Sequence, residues 1–179
     1  QYDNAALAVA AARHFGLPVG AEEMAAGLRS VSWPARLQPL TGRLRALLPA
    51  GDELWLDGGH NAHGAAVLAL SLEEMQARRP MPLVLIVGMM NTRPPADFLA
   101  PFKPMAPLVL TVTIPGEPNA HKAAFVAAEG RRTGFDARPC RSVLTALGAA
   151  AAVANARVVI CGSLYLAGDV LARNGTPPD

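Results

Sequence analysis

Glu53-Leu54-Trp55-Leu56-Asp57-Gly58-Gly59-His60-Asn61-Ala62-His63-Gly64 is the stretch on which the fold turns. Its first five residues suit a short strand ending in a carboxylate. Gly58-Gly59 then break the run, and His60-Asn61 lead into a segment, 62–78, with apolar residues at Val67, Leu68, Leu72 and Met75. A strand, a glycine turn and a helix in direct succession open a βα unit. The pattern recurs downstream. Leu83-Val84-Leu85-Ile86-Val87-Gly88 is an unbroken apolar run, as expected of a strand covered on both faces. Residues 108–114 and 157–161 read as further strands and 135–139 as a weak one. Helices are predicted over 97–102, over 120–133, from the capping Ser142 to about 155, and over 164–173. Strands alternating with helices predict an α/β, Rossmann-like domain, with a mostly parallel sheet flanked by helices. Ligands of such sheets bind beyond the carboxyl ends of the strands. That rule singles out the loops 58–63, 88–94 and 162–165, each opening with glycine after an apolar strand.

Upstream of this domain lie two alanine-rich helical patterns, over 4–15 and 21–28, with Gly16-Leu17-Pro18 between them. The break at Trp33-Pro34 puts a domain boundary near residues 30–32. The expected division is a helical tail of another domain over 1–31 and the α/β domain over 32–179. The chain opens at Gln1 directly in a helical pattern, so the first helix is expected to continue a domain lying further upstream.

A hydrophobic content of 51% against 17% charged residues excludes a disordered chain. The net charge of +2, with Arg78-Arg79 and Arg131-Arg132 as isolated basic doublets, argues against an extended nucleic-acid surface. No apolar stretch reaches the ~18 residues that a membrane span needs. Cys140 and Cys161 are far apart in apolar surroundings and read as free thiols of a reducing cytoplasm.

Several side chains sit where chemistry is expected. Asp57, at a strand end, can accept hydrogen bonds from ribose hydroxyls. Asn61 can cap the following helix, whose N-terminal amides favour an anion. His60 offers a flat ring and a hydrogen-bonding edge to a base. His60 and His63 have a spacing that suits a metal, but no third ligand accompanies them, so no metal site is expected in the chain. Blander roles stand beside these: a capped turn for Asp57 and His60, a surface ion pair for Arg36, a helix cap for Ser163. Cys161 and Tyr165 read as packing residues, and His14 and His121 as ordinary helix residues.

The stretch from Asp57 to Ala62 resembles the Asp-Gly-Ala-His-Asn-Pro signature of folylpolyglutamate synthases, with Gly59 in place of Ala and Ala62 in place of Pro. Trp33-Pro34-Ala35-Arg36-Leu37-Gln38 is similar to that family's Trp-Pro-Gly-Arg-(Phe/Leu) segment. Cys161-Gly162-Ser163-Leu164-Tyr165-Leu166-Ala167-Gly168 is similar to its Gly-Ser-Leu-Tyr motif. Gln1 to Ala6 resembles the start of the last central-domain helix. The resemblance implies the C-terminal domain of a folylpolyglutamate synthase/dihydrofolate synthase of the Mur ligase superfamily, together with the last helices of the central domain. Such an enzyme uses ATP and Mg²⁺ to phosphorylate a carboxylate of dihydropteroate or a folate. The amino group of L-glutamate then attacks the acyl phosphate. The resemblance gives Arg36 the ATP phosphates, Asp57 the ribose and His60 the adenine; Arg93 and Ser163 become candidates for glutamate. It also implies a cytoplasmic monomer.

Two departures accompany the likeness. The family's Gly-Met-Leu-x-x-Lys-Asp loop here reads Gly88-Met89-Met90-Asn91-Thr92-Arg93-Pro94. The sequence also holds no Gly-x-x-x-x-Gly-Lys-Ser/Thr phosphate loop. The Mg²⁺ ligands are therefore expected in an upstream domain, and the chain alone is expected to be inactive. Two other readings fit the same pattern: a Rossmann-like nucleotide-binding or regulatory module without catalysis, and the C-terminal domain of a peptidoglycan Mur ligase.

Overall fold

A computed structural model describes residues 2–31 and 33–176. The chain divides into two compact units, Gln1–Trp33 and Pro34–Asp179. The smaller unit carries helix α1 (Tyr2–His14) and helix α2 (Ala21–Ser30). Alanine gives both helices their propensity. α2 contributes no buried residue, so this unit brings little core of its own.

The larger unit runs β1 (Gln38–Pro39), β2 (Glu53–Leu56), α3 (Ala62–Arg78), β3 (Leu83–Val87), α4 (Pro95–Leu99), β4 (Leu108–Thr111), α5 (Ala123–Arg132), β5 (Asp136–Pro139), α6 (Val143–Ala150), β6 (Arg157–Cys161) and α7 (Leu164–Asn174). The strands form one sheet in the order β1-β2-β6-β3-β4-β5. Every pairing is parallel except that of β1 with β2. β2 and β3 follow one another in the chain yet never pair. The gap between them is filled by β6, with Val159 opposite both Trp55 and Leu85.

All five residues of β3, and all five of β6, are buried. Their alternate side chains serve opposite faces, as the two-residue period of a strand requires. Val84, Ile86, Val158 and Ile160 pack with Leu147 of α6 and Val170 of α7. Leu83, Leu85, Val87 and Val159 pack with Leu72 of α3, Val126 of α5, Phe98 and Phe102. Helices thus cover both faces, which is why these strands are continuous apolar runs and not alternating ones.

Some elements differ from their sequence patterns. The helix expected over 97–102 is a single α turn followed by a 3-10 segment, Ala100–Met105. Pro101 and Pro104 supply no N–H and cannot sustain an α ladder there. α5 starts at Ala123, so His121 precedes the helix. α6 stops at Ala150, since the chain must turn back into β6; Asn155 takes a left-handed φ of 53° in that turn. Alanine propensity yields to this tertiary demand. The antiparallel β1 has two residues, too few to show alternation in sequence.

At the opposite end of the sheet from the glycine loops, the Arg157 side chain is 2% exposed. Its Nε donates to Glu53 Oε2 at 2.7 Å, its Nη1 to Gln76 Oε1 at 2.6 Å and its Nη2 to the Arg79 carbonyl at 3.3 Å. Burial alone would raise the Glu53 pKa. Hydrogen bonds from Arg157 and Trp55, with the charges of Arg157 and Arg79, outweigh it and hold the carboxyl below its usual range. A depressed carboxylate pKa stabilises the fold above the unfolded value and ceases to do so as pH falls through the folded one. Glu53→Ala should therefore cost about 3 kcal/mol at pH 7, since it strands a buried guanidinium. Urea unfolding at a series of pH values should show that difference shrinking below the ordinary carboxyl value of 4.5.

Candidate functional site

The strand order sets the carboxyl ends of β2, β6 and β3 side by side. The loops that follow them touch. Gly162 N donates to Gly59 O at 3.0 Å, and Gly88 N donates to Cys161 O at 3.2 Å. Gly162 has φ 106°, and a Cβ there would lie 2.7 Å from the Gly88 carbonyl oxygen. Only a residue without a side chain fits that place and that conformation. Two helices begin at this edge. Asn61 Oδ1 caps α3 by accepting from Gly64 N at 2.8 Å, and Ser163 Oγ caps α7 by accepting from Tyr165 N at 3.1 Å. Ser163 is thus a helix cap, 2% exposed. The positive ends of both helices face the edge where the three loops meet.

Arg36 reaches the same edge from the turn before β1. Its neighbours Ala35 and Leu37 both have positive φ, 56° and 43°. Left-handed backbone costs a non-glycine residue roughly 1–2 kcal/mol. Hydrogen bonds offset it: Ala35 N donates to Gln38 Oε1 at 2.9 Å, and Leu37 N donates to Asp57 Oδ2 at 2.8 Å. Gly58 N donates to Ala35 O at 2.8 Å, which ties the turn to the end of β2. The other Asp57 oxygen, Oδ1, accepts from Gly59 N at 2.7 Å. Arg36 itself is exposed, and Nη1 makes one long bond, 3.4 Å, to the Ala35 carbonyl. It pairs with no carboxylate among the described residues.

His60 is exposed and its Nδ1 lies 3.2 Å from the Gly58 carbonyl. With the proton on Nδ1 the ring donates there and leaves Nε2 as an acceptor. Beside it opens a cavity of about 250 Å³, lined by His60, Met90, Thr92, Gly162, Ser163, Leu164 and Tyr165. Tyr165 is 57% exposed and borders this cavity, so it is not a packing residue. Arg93 lies elsewhere, on a smaller cavity of about 110 Å³ with Asn61, Ala62, Pro94, Asp97 and Phe98. Its loop is braced from behind: Asn91 N donates to Asn119 O and His121 N to Met89 O, each at 2.8 Å. The His121 Nε2 lies 3.2 Å from the Arg93 carbonyl and its ring stacks on Phe125.

Arg36, Asp57, His60 and Ser163 therefore gather around the turn between β2 and α3, while Arg93 occupies the neighbouring cavity. Cys161 lies beneath them; burial, and then the charge of Asp57, push its thiol well above the usual range. It is a core residue and not a nucleophile. Among the described residues no three His, Cys, Asp or Glu side chains gather as a metal site. Met90, Thr92 and Leu164 line the larger cavity and Gln38 braces the Arg36 turn; all four lie in the segments quoted from the sequence, but residue type alone does not single them out.

The class that these features define is an α/β, Rossmann-like domain of the Mur ligase C-terminal type, with the candidate site at the switch in strand order. Solved structures that superpose on it are folylpolyglutamate synthase/dihydrofolate synthases, and the match falls on their C-terminal domain. The bifunctional enzyme from Yersinia pestis CO92 matches 97% of this chain at 25% identity with a TM-score of 0.76, over 39% of its own length. E. coli FolC, in complex with DHPP and ADP, matches 95% at 25% identity and 0.75, over 38% of its length. A bifunctional folylpolyglutamate synthase/dihydrofolate synthase with Mn, AMPPNP and L-glutamate bound matches 88% at 26% identity and 0.68. The chain thus spans well under half the length of these proteins. No protein-family model and no curated protein matches the sequence.

Gly162→Ala tests the loop junction. The added methyl meets a backbone oxygen that cannot swing aside, and φ is strained besides, so the domain should lose roughly 2–4 kcal/mol. Thermal unfolding should register this as a clearly lower Tm, whereas Gly168→Ala, on the open side of α7, should leave Tm unchanged or raise it slightly, alanine being the better helix former.

Proposed function

We propose that this chain is the C-terminal part of an ATP-dependent ligase that joins L-glutamate to dihydropteroate, to folates, or to both. One observation carries the reading. Arg36, Asp57, His60 and two capped helix N-termini gather at the loops that follow β2 and β6, with His60 and Ser163 on a cavity there, in a fold that matches ligases holding ADP or AMPPNP. In this reading residues 1–31 are the tail of the central ATPase domain and residues 32–179 close over the nucleotide it holds. The ligand neighbours named above, all of them ligases, weigh against a binding module without catalysis.

Each residue then has a task. Asp57 spends one lone pair of each oxygen on a backbone N–H and retains the others for ribose hydroxyls. His60 offers its ring to the adenine, beside the apolar Leu164, Tyr165 and Met90. Arg36, a free cation on the loop edge, meets the phosphates when the domains close, and offsets the charge that grows on the transferring phosphoryl group. Arg93 and Ser163 are the residues proposed for the incoming glutamate. Ser163 Oγ already accepts one hydrogen bond as a cap and can still donate its proton. Mg²⁺, expected to be held by the upstream domain, supplies charge neutralisation on the phosphates; the described residues provide no ligand set for it. The partners are ATP, L-glutamate and dihydropteroate or a folate. Two free thiols, neither near a partner for a disulfide, accord with a cytoplasmic protein, and we propose that it acts as a monomer.

The deciding assay is glutamate-dependent ADP release by the full-length enzyme, with dihydropteroate or a reduced folate as acceptor. Arg36→Ala should lower kcat roughly a hundredfold or more while KM for ATP changes little. Arg36→Lys should restore only part of the loss, because the flat two-pronged guanidinium is gone. Wild-type turnover by Arg36→Ala would remove Arg36 from the chemistry. The 179-residue chain alone should bind ATP with a Kd above ~1 mM, as most phosphate contacts lie outside it; micromolar binding in calorimetry would contradict the division of labour.

A further inference from the structure

We propose that Gln38 is a positioning residue for Arg36, working in concert with Asp57, and that this clamp sets the arginine before any nucleotide arrives. What Arg36 does rests on the ligase reading; how it is held rests on geometry alone.

The Arg36 side chain is weakly restrained. Its bond within the domain is the 3.4 Å contact from Nη1 to the carbonyl of its own neighbour. Its direction is therefore set by its backbone, and that backbone is an unusual one. Arg36 stands between two non-glycine residues of positive φ, Ala35 and Leu37. Such conformations persist only where the surroundings over-determine them. Here each left-handed residue has its own acceptor. Ala35 N is taken by Gln38 Oε1, and Leu37 N by Asp57 Oδ2. The Ala35 carbonyl is held by Gly58 N, and the Ala35 methyl is 3% exposed in the core.

The two clamping side chains are themselves fixed by the sheet. Gln38 pairs with Leu56 across β1 and β2, and Asp57 is the residue after Leu56. Both acceptors are therefore delivered by one strand register, although β1 is only two residues long. Gly58 completes the fit: a Cβ there would stand 3.3 Å from Arg36 Nη1 and would press on Leu164. The Gln38 side-chain oxygen is engaged by the amide of Ala35, next to Arg36, so the effect of Gln38 on the reaction is expected to pass through Arg36.

The test uses the full-length ligase with Gln38→Met, which removes the acceptor and keeps the bulk, and Gln38→Glu, which keeps an acceptor oxygen. Gln38→Met should lower kcat roughly tenfold or more with KM for ATP unchanged, since a misplaced group loses much of its effect. Gln38→Glu should recover most of the rate. In an Arg36→Ala background Gln38→Met should cost nothing further, because the group it positions is gone. A merely structural role would instead lower Tm and leave the turnover of the folded enzyme intact. Amide hydrogen exchange of residues 35–38, in the nucleotide-free protein, reads the clamp without any catalysis. Exchange should quicken at least tenfold in Gln38→Met and stay slow in Gln38→Glu. Unchanged exchange in Gln38→Met, wild-type kcat in that variant, or a full additional loss in the Arg36→Ala background would each overturn the proposal. If exchange responds as stated while Arg36→Ala turns over normally, the clamp stands and it is the ligase reading of Arg36 that fails.

Discussion

Gly162 and the carbonyl of Gly88 approach so closely that no side chain could be placed between them. Much of the site follows from this contact. It lets the end of β6 lie flush against the loops after β2 and β3, with Gly162 bonded to Gly59 and Gly88 to Cys161. The edge of the sheet there is bare backbone, and α3 and α7 both start from it. Fixed amide dipoles can act at short range only where side chains do not stand in the way. The glycines thus do more than permit turns; they bring two helix ends to one place.

The second dependence runs from the sheet to a strained turn. The core fixes the register of β1 on β2, and that register presents Gln38 and Asp57 to the turn carrying Arg36. The same carboxylate also steadies Gly59 at the start of the neighbouring loop. One half-buried residue, Asp57, therefore joins two segments that come from different parts of the chain. Strain at Ala35 and Leu37 is tolerated because a well-packed sheet stands behind it.

The central strands were plain in sequence because they are buried on both faces: the runs at 83–87 and 157–161 have no polar residue except the ion-paired Arg157. The caps at Asn61 and Ser142 are equally plain, since a polar residue before an apolar helix has few other uses, while for Ser163 the sequence leaves a cap and a substrate contact side by side. What stayed hidden depends on contacts distant in sequence. β1 exists only by pairing with β2. The early end of α6 follows from where β6 must begin. The Arg36 turn is the instructive case. Ala35 stands where the resembling motif has glycine, and its φ of 56° explains why glycine suits the place. The residue that makes alanine acceptable there, Gln38, could not be singled out without knowing the turn. Tyr165 looked like a core residue by type, yet the first turn of α7 leaves it at the cavity mouth.

The position of β6 also bears on how the domain is made. β6 alone links β2 to β3, and of the six strands of this sheet it comes last in sequence. A nascent chain synthesised as far as β5 would own two separate pieces of sheet, β1 with β2 and β3 with β4 and β5, each with an open edge facing the other. Neither edge can close on its own strands, and open edges invite pairing with other chains. Consolidation must wait until residues 157–161 are free to enter the gap, and their contacts with β2 span about a hundred residues, a separation that slows folding. Vectorial synthesis thus offers this domain little head start, and a ribosome-bound chain stalled before β6 would be the species most in need of a chaperone.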